Sequence, residues 1–407
     1  MTLEKQATTA APATEVSGAL PSPILPGATI GMLGGGQLGR MFALAARRMG
    51  YRVVVLTEEA EGPAAQVCDA IIAGPYSPEN LDRLASQCAV VTLEFENIPD
   101  EAVRRIAAAV PTHPSARVLA TAQDRSVEKQ TMVDFGLPVT PFRTIADLTT
   151  EAGQRDLAAA LESFGFPVII KRARSGYDGK GQRRLETAED AATVTKIFGR
   201  DRVVVEQVIP FRCEISAIVA RNAQREAAVF PIFENDHANH ILDVTRCPAG
   251  VDEATAEQAR QIALRIADQL DLVGVLCVEL FVQPDGSVLI NEIAPRPHNS
   301  GHLTIEATAV SQFEQHVRAV CGLPLGSTEL RAPAAMANLL GDCWQTGPPA
   351  WDRALAIPGV TLHLYGKAEP RRGRKMGHLT ATAKQLADAE TNVRSAREQL
   401  QAGPRTD

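Results

Sequence analysis

Two glutamates stand in strongly apolar surroundings: Glu279 within Val-Leu-Cys-Val-Glu-Leu-Phe-Val and Glu292 within Val-Leu-Ile-Asn-Glu-Ile. Between them lies Gln283-Pro284-Asp285-Gly286, and Asp-Gly is a strong signal for a two-residue hairpin loop. If Asp285 and Gly286 form that loop, Pro284 faces Ser287. Counting back along both strands then sets Glu279 directly opposite Glu292. Like charges so placed repel unless a cation sits between them or one takes a proton. Two carboxylates helped by the amide of Asn291 suit Mg²⁺, which also coordinates substrate phosphates. A three-residue loop would break this register. Two exposed glutamates on a polar strand face are the alternative, and the apolar flanks argue against it.

Lys171 ends the run Pro167-Val168-Ile169-Ile170 and is followed by Arg172-Ala173-Arg174-Ser175-Gly176-Tyr177-Asp178-Gly179-Lys180-Gly181. Three glycines with interleaved cations make a loop able to fold over polyphosphate. It is not a Walker A loop, because no G-K-[ST] opens a helix. Val203-Val204-Val205-Glu206, next to Gln207, could set backbone groups against a purine. Earlier in the chain, Gly34, Gly36 and Gly39 satisfy G-x-G-x-x-G between a strand and a helix, with Glu58 and Glu59 roughly twenty residues on. Alone, that pattern supports phosphate at a helix N-terminus and a dinucleotide-binding dehydrogenase; a tight turn without ligand would look the same. His237 with His240, and His298 with His302, lie close in sequence. Neither pair has a partner acid at metalloprotease spacing, so hydrogen-bonding histidines are the expectation.

These groups need rigid elements to carry them. Thr29–Leu33 reads as a buried strand, followed by a helical stripe of Leu38, Met41, Phe42, Ala45 and Met49 that Gly50 ends. Further strands are expected at Arg52–Leu56, Ala70–Ala73 and Ala89–Leu93. That β-α-β series implies a parallel sheet covered by helices, closing near Arg125. From 126 to 315 strands at Val168–Lys171, Val203–Glu206, Cys213–Ala220, Val273–Val282 and Val288–Ile293 mix with a long helix over Asp252–Leu270, an α+β pattern. A smaller third unit spans 316–396 and ends in a charged helical stretch. Residues 1–26, rich in Ala, Thr, Ser and Pro, and 397–407 read as tails.

Composition bounds the partners. At roughly 150 residues per domain, 407 residues point to two or three domains. A net charge of −7 argues against general binding to a nucleic-acid backbone, and 4% aromatic residues against stacking on single strands. No apolar run is long enough to span a bilayer. Seven scattered cysteines without a C-x-x-C pair indicate neither a zinc ribbon nor a disulfide framework, so a reducing cytoplasmic setting is expected.

Taken in order, the segments resemble the ATP-grasp ligases, and among them the 5-(carboxyamino)imidazole ribonucleotide synthases. The resemblance covers about 27–385. It rests on Gly-Gly-Gln37-Leu-Gly-Arg-Met, Thr92-Leu-Glu94-Phe-Glu96, Lys171 with Gly176-Tyr-Asp-Gly-Lys-Gly-Gln182, Asn291-Glu-Ile-Ala-Pro-Arg296-Pro-His-Asn-Ser-Gly-His302, and Gly373-Arg-Lys-Met-Gly-His378. It implies α/β and α+β architecture: an N-terminal Rossmann-like pre-ATP-grasp domain (27–125), a two-lobed ATP-grasp domain (126–315) and a small α+β C-terminal domain (316–396).

By the same resemblance Arg125, Lys171, Glu206, Gln207, Val208, Ile209, Glu214 and His237 contact ATP, and Gly176, Tyr177, Asp178, Gly179, Lys180, Gly181 and Gln182 cover its phosphates. Glu279 and Glu292, with Asn291, hold Mg²⁺. Gly36, Gln37, Leu38 and Glu94 seat 5-aminoimidazole ribonucleotide instead of NAD. His298 and Asn299 flank the reacting amine and bicarbonate, while Lys367, Arg374 and Lys375 clamp the ribonucleotide phosphate. Tyr177, Asp178, Lys180 and Arg296 form the catalytic set, Asp178 as base. Ser175 stands where relatives often carry a further Gly. The chemistry implied is phosphorylation of bicarbonate by ATP to carboxyphosphate, then carboxylation of the amine. A homodimer is also implied. The rivals are another ATP-grasp ligase acting through an acyl phosphate, an NAD-dependent oxidoreductase, and a non-catalytic nucleotide-binding regulator. The oxidoreductase leaves the glutamate pair and the second glycine loop unexplained, and the regulator would be favoured only if the paired glutamates were missing.

Overall fold

The computed structural model of the chain describes residues 22–174, 176, 181–345 and 347–400. Five short strands, β1 (Thr29–Leu33), β2 (Arg52–Thr57), β3 (Ala70–Ala73), β4 (Val90–Leu93) and β5 (Thr112–His113), pair in parallel in the order β3-β2-β1-β4-β5. Their near-continuous apolar runs suit a sheet covered on both faces. The helix Gln37–Arg48 buries Met41, Phe42 and Ala46 against it. Order reverses at β1, so the crevice beyond the carboxyl ends of β1 and β4 is where a ligand fits in such a sheet.

A small antiparallel sheet follows, in the order β6-β9-β7-β8: β6 (Phe142–Ile145), β7 (Val168–Arg172), β8 (Gln182–Leu185) and β9 (Val203–Gln207). The helix Glu151–Phe164 covers it, setting Leu157 and Ala160 against Val168, Ile170, Val203 and Val205.

The remaining strands form one antiparallel sheet: β10 (Cys213–Arg221), β11 (Ala227–Val229), β12 (Phe233–Ala238), β13 (Ile241–Cys247), β14 (Gly274–Val282), β15 (Val288–Ala294), β16 (Ala334–Leu340), β17 (Val360–Leu364) and β18 (Lys375–Thr382). Its order is β15-β14-β10-β12-β13-β16-β18-β17, with β11 on β10. The third unit is therefore not a separate layer. Its strands extend the central sheet through the β13–β16 pair. One face of this sheet takes the helix Glu253–Gln269, whose Ala259, Ile262, Ala263 and Ile266 pack on Ile215, Ala217, Leu276, Val278 and Leu280. On the other face Ile218, Ala220, Val275, Cys277 and Ala294 join a second core with Leu303 and Ala307, and the stretch carrying Glu214, Glu279, Phe281 and Glu292 opens to the site.

Two expected boundaries shift. Ile24, read above as tail, donates its N–H to the Cys321 carbonyl at 2.8 Å and accepts the Tyr51 hydroxyl at 2.6 Å. The last helix, Leu386–Leu400, runs past the expected end at 396, burying Leu400. Residues 1–21 and 401–407 lie outside the described residues. Among the described residues, no helix is long and apolar enough to cross a membrane, and all seven cysteines are free thiols.

One buried ring ties the first sheet to the large one. His316, 1% exposed, accepts the Val275 N–H on its Nδ1 at 3.1 Å. Its Nε2–H is thereby directed to Thr92 Oγ1 on β4, 2.9 Å away. Burial, with His113 nearby, pushes the ring down to about 3. Below pH 6.5 the unfolded ring gains a proton that the folded ring refuses until about pH 3, so falling pH favours unfolding through that window. His316→Gln keeps an acceptor for Val275 and a donor for Thr92 but cannot titrate. Calorimetric unfolding should place this variant within about 1 kcal/mol of the parent at neutral pH. On acidification it should lose less stability than the parent, by on the order of 1 kcal/mol per pH unit.

Candidate active site

The glutamate pair is present, but the hairpin reaches it by an unexpected route. The loop is Pro284-Asp285-Gly286, closed by Gln283 N–H to Ser287 O (2.8 Å) and Gly286 N–H to Gln283 O (3.0 Å), with Gly286 at φ +85°. That is a three-residue loop, which Gly in the left-handed region allows. It pairs Val282 with Val288 and Leu280 with Ile290, one residue off the register that a two-residue loop predicts. A β-bulge then inserts Asn291, so that Glu279 pairs with Glu292 after all. The bulge also changes faces. Val288 and Ile290 point into the core with Leu280 and Val282. Without the extra residue Glu292 would follow them; with it, Ile293 turns into the core and Glu292 faces the cleft.

Around this pair every charge has a counterpart. Arg125 Nη1 lies 2.5 Å from Glu292 Oε2, and His298 Nε2 lies 2.9 Å from Glu279 Oε1. Burial opposes ionisation of Glu292, but Arg125 and Lys171 outweigh it and hold the carboxyl below its usual range. Burial likewise opposes protonation of His298, yet neighbouring Cys277 and Glu279 raise it. Asn291 Oδ1 is buried with no hydrogen-bond partner. An orphaned oxygen beside two facing carboxylates is a hard-oxygen donor set, and fits a divalent cation that fills its other positions with water and phosphate. Among the described residues no cluster of three or more His, Cys, Asp or Glu has metal-binding geometry.

The small sheet faces this hairpin. Lys171 Nζ meets Glu206 Oε2 at 2.9 Å. Burial disfavours the Glu206 charge, and Lys129 and Lys171 overcome that and lower its pKa. On β10 and β12, Glu214 Oε2 lies 3.0 Å from His237 Nδ1. Burial works against the His237 cation, while the hydrogen bond and charge of Glu214 raise its pKa overall.

The first glycine loop is filled from within. Glu94 accepts the Gly36 N–H on one oxygen and the Gly39 N–H on the other at 2.7 Å. A Cβ added at Gly34 would come within 2.6 Å of the Glu94 side chain, and one at Gly36 within 2.8 Å. The glycines make room for a carboxylate of the chain itself. That carboxylate occupies the helix N-terminus where a dinucleotide phosphate would sit. Gln37 beside it receives Lys367 Nζ on Oε1 at 2.6 Å, and Lys367 also donates to the Lys375 carbonyl at 2.7 Å. Arg296 Nε stands 2.8 Å from Glu96 Oε1.

All of these open onto one cleft of about 1170 Å³ between the three parts of the chain. It is lined by Gly36, Gln37, Leu38 and Glu94, by Arg125, Lys171, Gly176, Gln182, Glu206, Gln207, Val208, Ile209, Glu214 and His237, and by Glu279, Asn291, Glu292, Arg296, His298, Asn299, Lys367, Arg374 and Lys375. Gly181 is set back from it, at φ +73° and accepting the Arg172 N–H at 2.9 Å. Tyr177, Asp178, Gly179 and Lys180 lie outside the described residues, as does Ser175.

Sequence reasoning missed Gln123, Glu128 and Lys129. Gln123 Nε2 donates to the carbonyls of Glu96 (2.6 Å) and Ile98 (2.5 Å), and its Oε1 accepts from Arg174 at 2.9 Å. Glu128 and Lys129 are 3% and 1% exposed on a helix whose polar sequence reads as a solvated surface. No pattern marks them.

Three family models match the chain in succession: a ribonucleotide synthetase preATP-grasp domain over 27–123, an ATP-grasp domain over 130–313, and a phosphoribosylaminoimidazole carboxylase C-terminal domain over 334–392. The N5-carboxyaminoimidazole ribonucleotide synthase of Brucella melitensis is 43% identical over 87% of this chain and 96% of its own. The chain belongs to the N5-carboxyaminoimidazole ribonucleotide synthases. It is thus an ATP-dependent ATP-grasp enzyme of purine biosynthesis, making N5-carboxyaminoimidazole ribonucleotide. The synthase of Bacillus subtilis is 39% identical over 88% of this chain and 92% of its own. Among solved structures, an ADP complex of such a synthetase superposes with a TM-score of 0.87 at 40% identity, covering 92% of this chain and 97% of that one. The Aspergillus clavatus enzyme, in complex with ADP and 5-aminoimidazole ribonucleotide, superposes with a TM-score of 0.82 at 32% identity, covering 92% and 98%.

Glu94→Gln tests the internal cap. The amide sets an N–H₂ against one of the two backbone donors, at a cost of about 1–3 kcal/mol. A lowered thermal midpoint is expected, and an unchanged one would show that the carboxylate does not hold the loop.

Proposed function

We propose that the cleft carboxylates 5-aminoimidazole ribonucleotide by way of carboxyphosphate, with ATP and bicarbonate as co-substrates. The single observation that carries this reading is that Glu279, Glu292 and the orphaned Asn291 Oδ1 line one cleft together with Lys171 and Arg125 and with Lys367, Arg374 and Lys375. It provides a nucleotide side and a second anionic-ligand side in one chamber. Glu279, Glu292 and Asn291 would hold Mg²⁺, which when bound neutralises charge on the transferred phosphoryl group.

This chain's own residues do the rest. Lys171 and Arg125 place fixed positive charge beside the transferred phosphoryl group, and Glu206, Gln207, Val208, Ile209, Glu214 and His237 bind the nucleotide. A bicarbonate oxygen attacks the γ-phosphorus and ADP leaves. The exocyclic amine then attacks the carboxyl carbon, phosphate departs, and the nitrogen gives up its proton. On the family resemblance we assign that proton to Asp178 and the closing contacts to Tyr177 and Lys180, which keep water from an intermediate that hydrolyses readily. Arg296, His298 and Asn299 border the reacting amine. Gly36, Gln37 and Leu38 seat the ribonucleotide near Glu94, and Lys367, Arg374 and Lys375 take its phosphate. Cytoplasmic location and a homodimer belong to the same proposal, on free thiols and on family resemblance respectively.

Two measurements check it. ADP release should require Mg²⁺, bicarbonate and 5-aminoimidazole ribonucleotide together; turnover indifferent to the ribonucleotide would point to another acyl-phosphate ligase. Glu292→Gln should lower kcat by at least about a hundredfold with a near-normal unfolding midpoint, and retention of most activity would end the metal role.

A further inference from the structure

Lys129 stands behind the cleft rather than in it. Its ammonium donates to Thr140 Oγ1 at 2.6 Å and to the Asn291 carbonyl at 3.2 Å, and lies 3.4 Å from Glu206 Oε1. A cation that is 1% exposed is costly to keep unless each partner is well placed. The three partners belong to different pieces of the fold. Thr140 precedes β6 and donates its own N–H to the Ile290 carbonyl of β15 at 3.2 Å; Glu206 lies on β9 in the small sheet; Asn291 is the inserted residue of the bulge in β15. The neighbouring Glu128 accepts the Ile293 N–H at 3.0 Å. Consecutive side chains of one helix thus grip the backbone on both sides of Glu292: the carbonyl before it and the N–H after it.

That placement bears on how the donor set is held. The bulge takes Asn291 out of regular cross-strand pairing. A peptide so released can rotate, and rotation would swing both Asn291 Oδ1 and the Glu292 carboxylate. Lys129 fixes that peptide from the rear. It also gives Glu206 a second cation, which stays in place when Lys171 engages a phosphate.

We infer that Lys129 is a positioning residue for the metal-holding hairpin, pinning the Asn291 peptide to the small sheet so that Asn291 and Glu292 present their oxygens together. The inference rests on the reading of Glu279, Asn291 and Glu292 as ligands. Supporting residues of this kind change metal affinity without touching the metal.

The test is calorimetric binding of ADP to the full chain, with Mg²⁺ and with chelator, for the parent, Lys129→Met and Lys129→Gln. The parent should bind ADP more tightly with Mg²⁺. Lys129→Met should lose about tenfold or more of that gain, while its metal-free ADP affinity moves by less than about threefold. Lys129→Gln, which can still donate to the Asn291 carbonyl, should recover part of it. Equal losses with and without Mg²⁺, or a full Mg²⁺ gain in a folded Lys129→Met, would overturn the inference. Should Lys129→Met fail to fold, Thr140→Val removes one anchor of the ammonium and should shift the Mg²⁺ gain in the same direction; no shift would overturn the inference. If the parent itself showed no Mg²⁺ gain, the ligand reading would fall instead.

Discussion

Two carboxylates held opposite one another on adjacent strands set the terms for everything around them. Glu279 and Glu292 share a pair of β14 and β15, where their repulsion is close-range and poorly screened. Such a pair survives only with counter-charge at hand. Arg125 and His298 touch the two directly, and Lys171 stands near enough to depress Glu292. Lys171 is not free to drift, because Glu206 holds it, and behind it Lys129 is held in part by the Asn291 backbone. The cleft is a balanced lattice of charge. A phosphorylated nucleotide can enter it by exchanging partners with charges that are already paired.

The three parts of the chain meet around that lattice for physical reasons that differ. The first sheet is docked by His316, a ring kept neutral by burial and committed on both nitrogens. The third unit is docked by backbone pairing, since β16 continues the sheet from β13. Lys367 then bridges the Gln37 side chain and the Lys375 backbone, so the cleft-lining cations of the third unit and the first glycine loop are one construction. That loop shows how far a motif can mislead. Its helix N-terminus favours an anion, and the chain satisfies it with Glu94.

Much of the fold was legible because periodic apolar runs have few ways to be buried. The strands at Thr29–Leu33, Ala70–Ala73 and Cys213–Arg221, and the helix Glu253–Gln269, lie within a residue or two of where patterning places them. Many of the residues that line the cleft were legible by type and by motif. Less visible were β12, β13, β17 and β18, whose sequences mix polar and apolar residues because one face lines a cleft or an internal polar row. Asn235, for instance, donates to Ser216 Oγ at 2.6 Å in the sheet interior.

By itself the sequence determined the parallel first sheet, the two apolar strands flanking Asp285-Gly286, charged groups such as Lys171, Glu206, Glu279 and Glu292 that line the cleft, and the family to which the chain belongs. The tertiary structure alone decided which way those groups face. A three-residue loop would have turned Glu292 into the core, and the bulge at Asn291 turned it out again. A side-chain period of two makes one inserted residue reverse a whole face, and no local pattern announces the insertion. Lys129 and Glu128 follow the same rule. A charged pair on a helix reads as solvated until the backbone of a distant strand is brought against it.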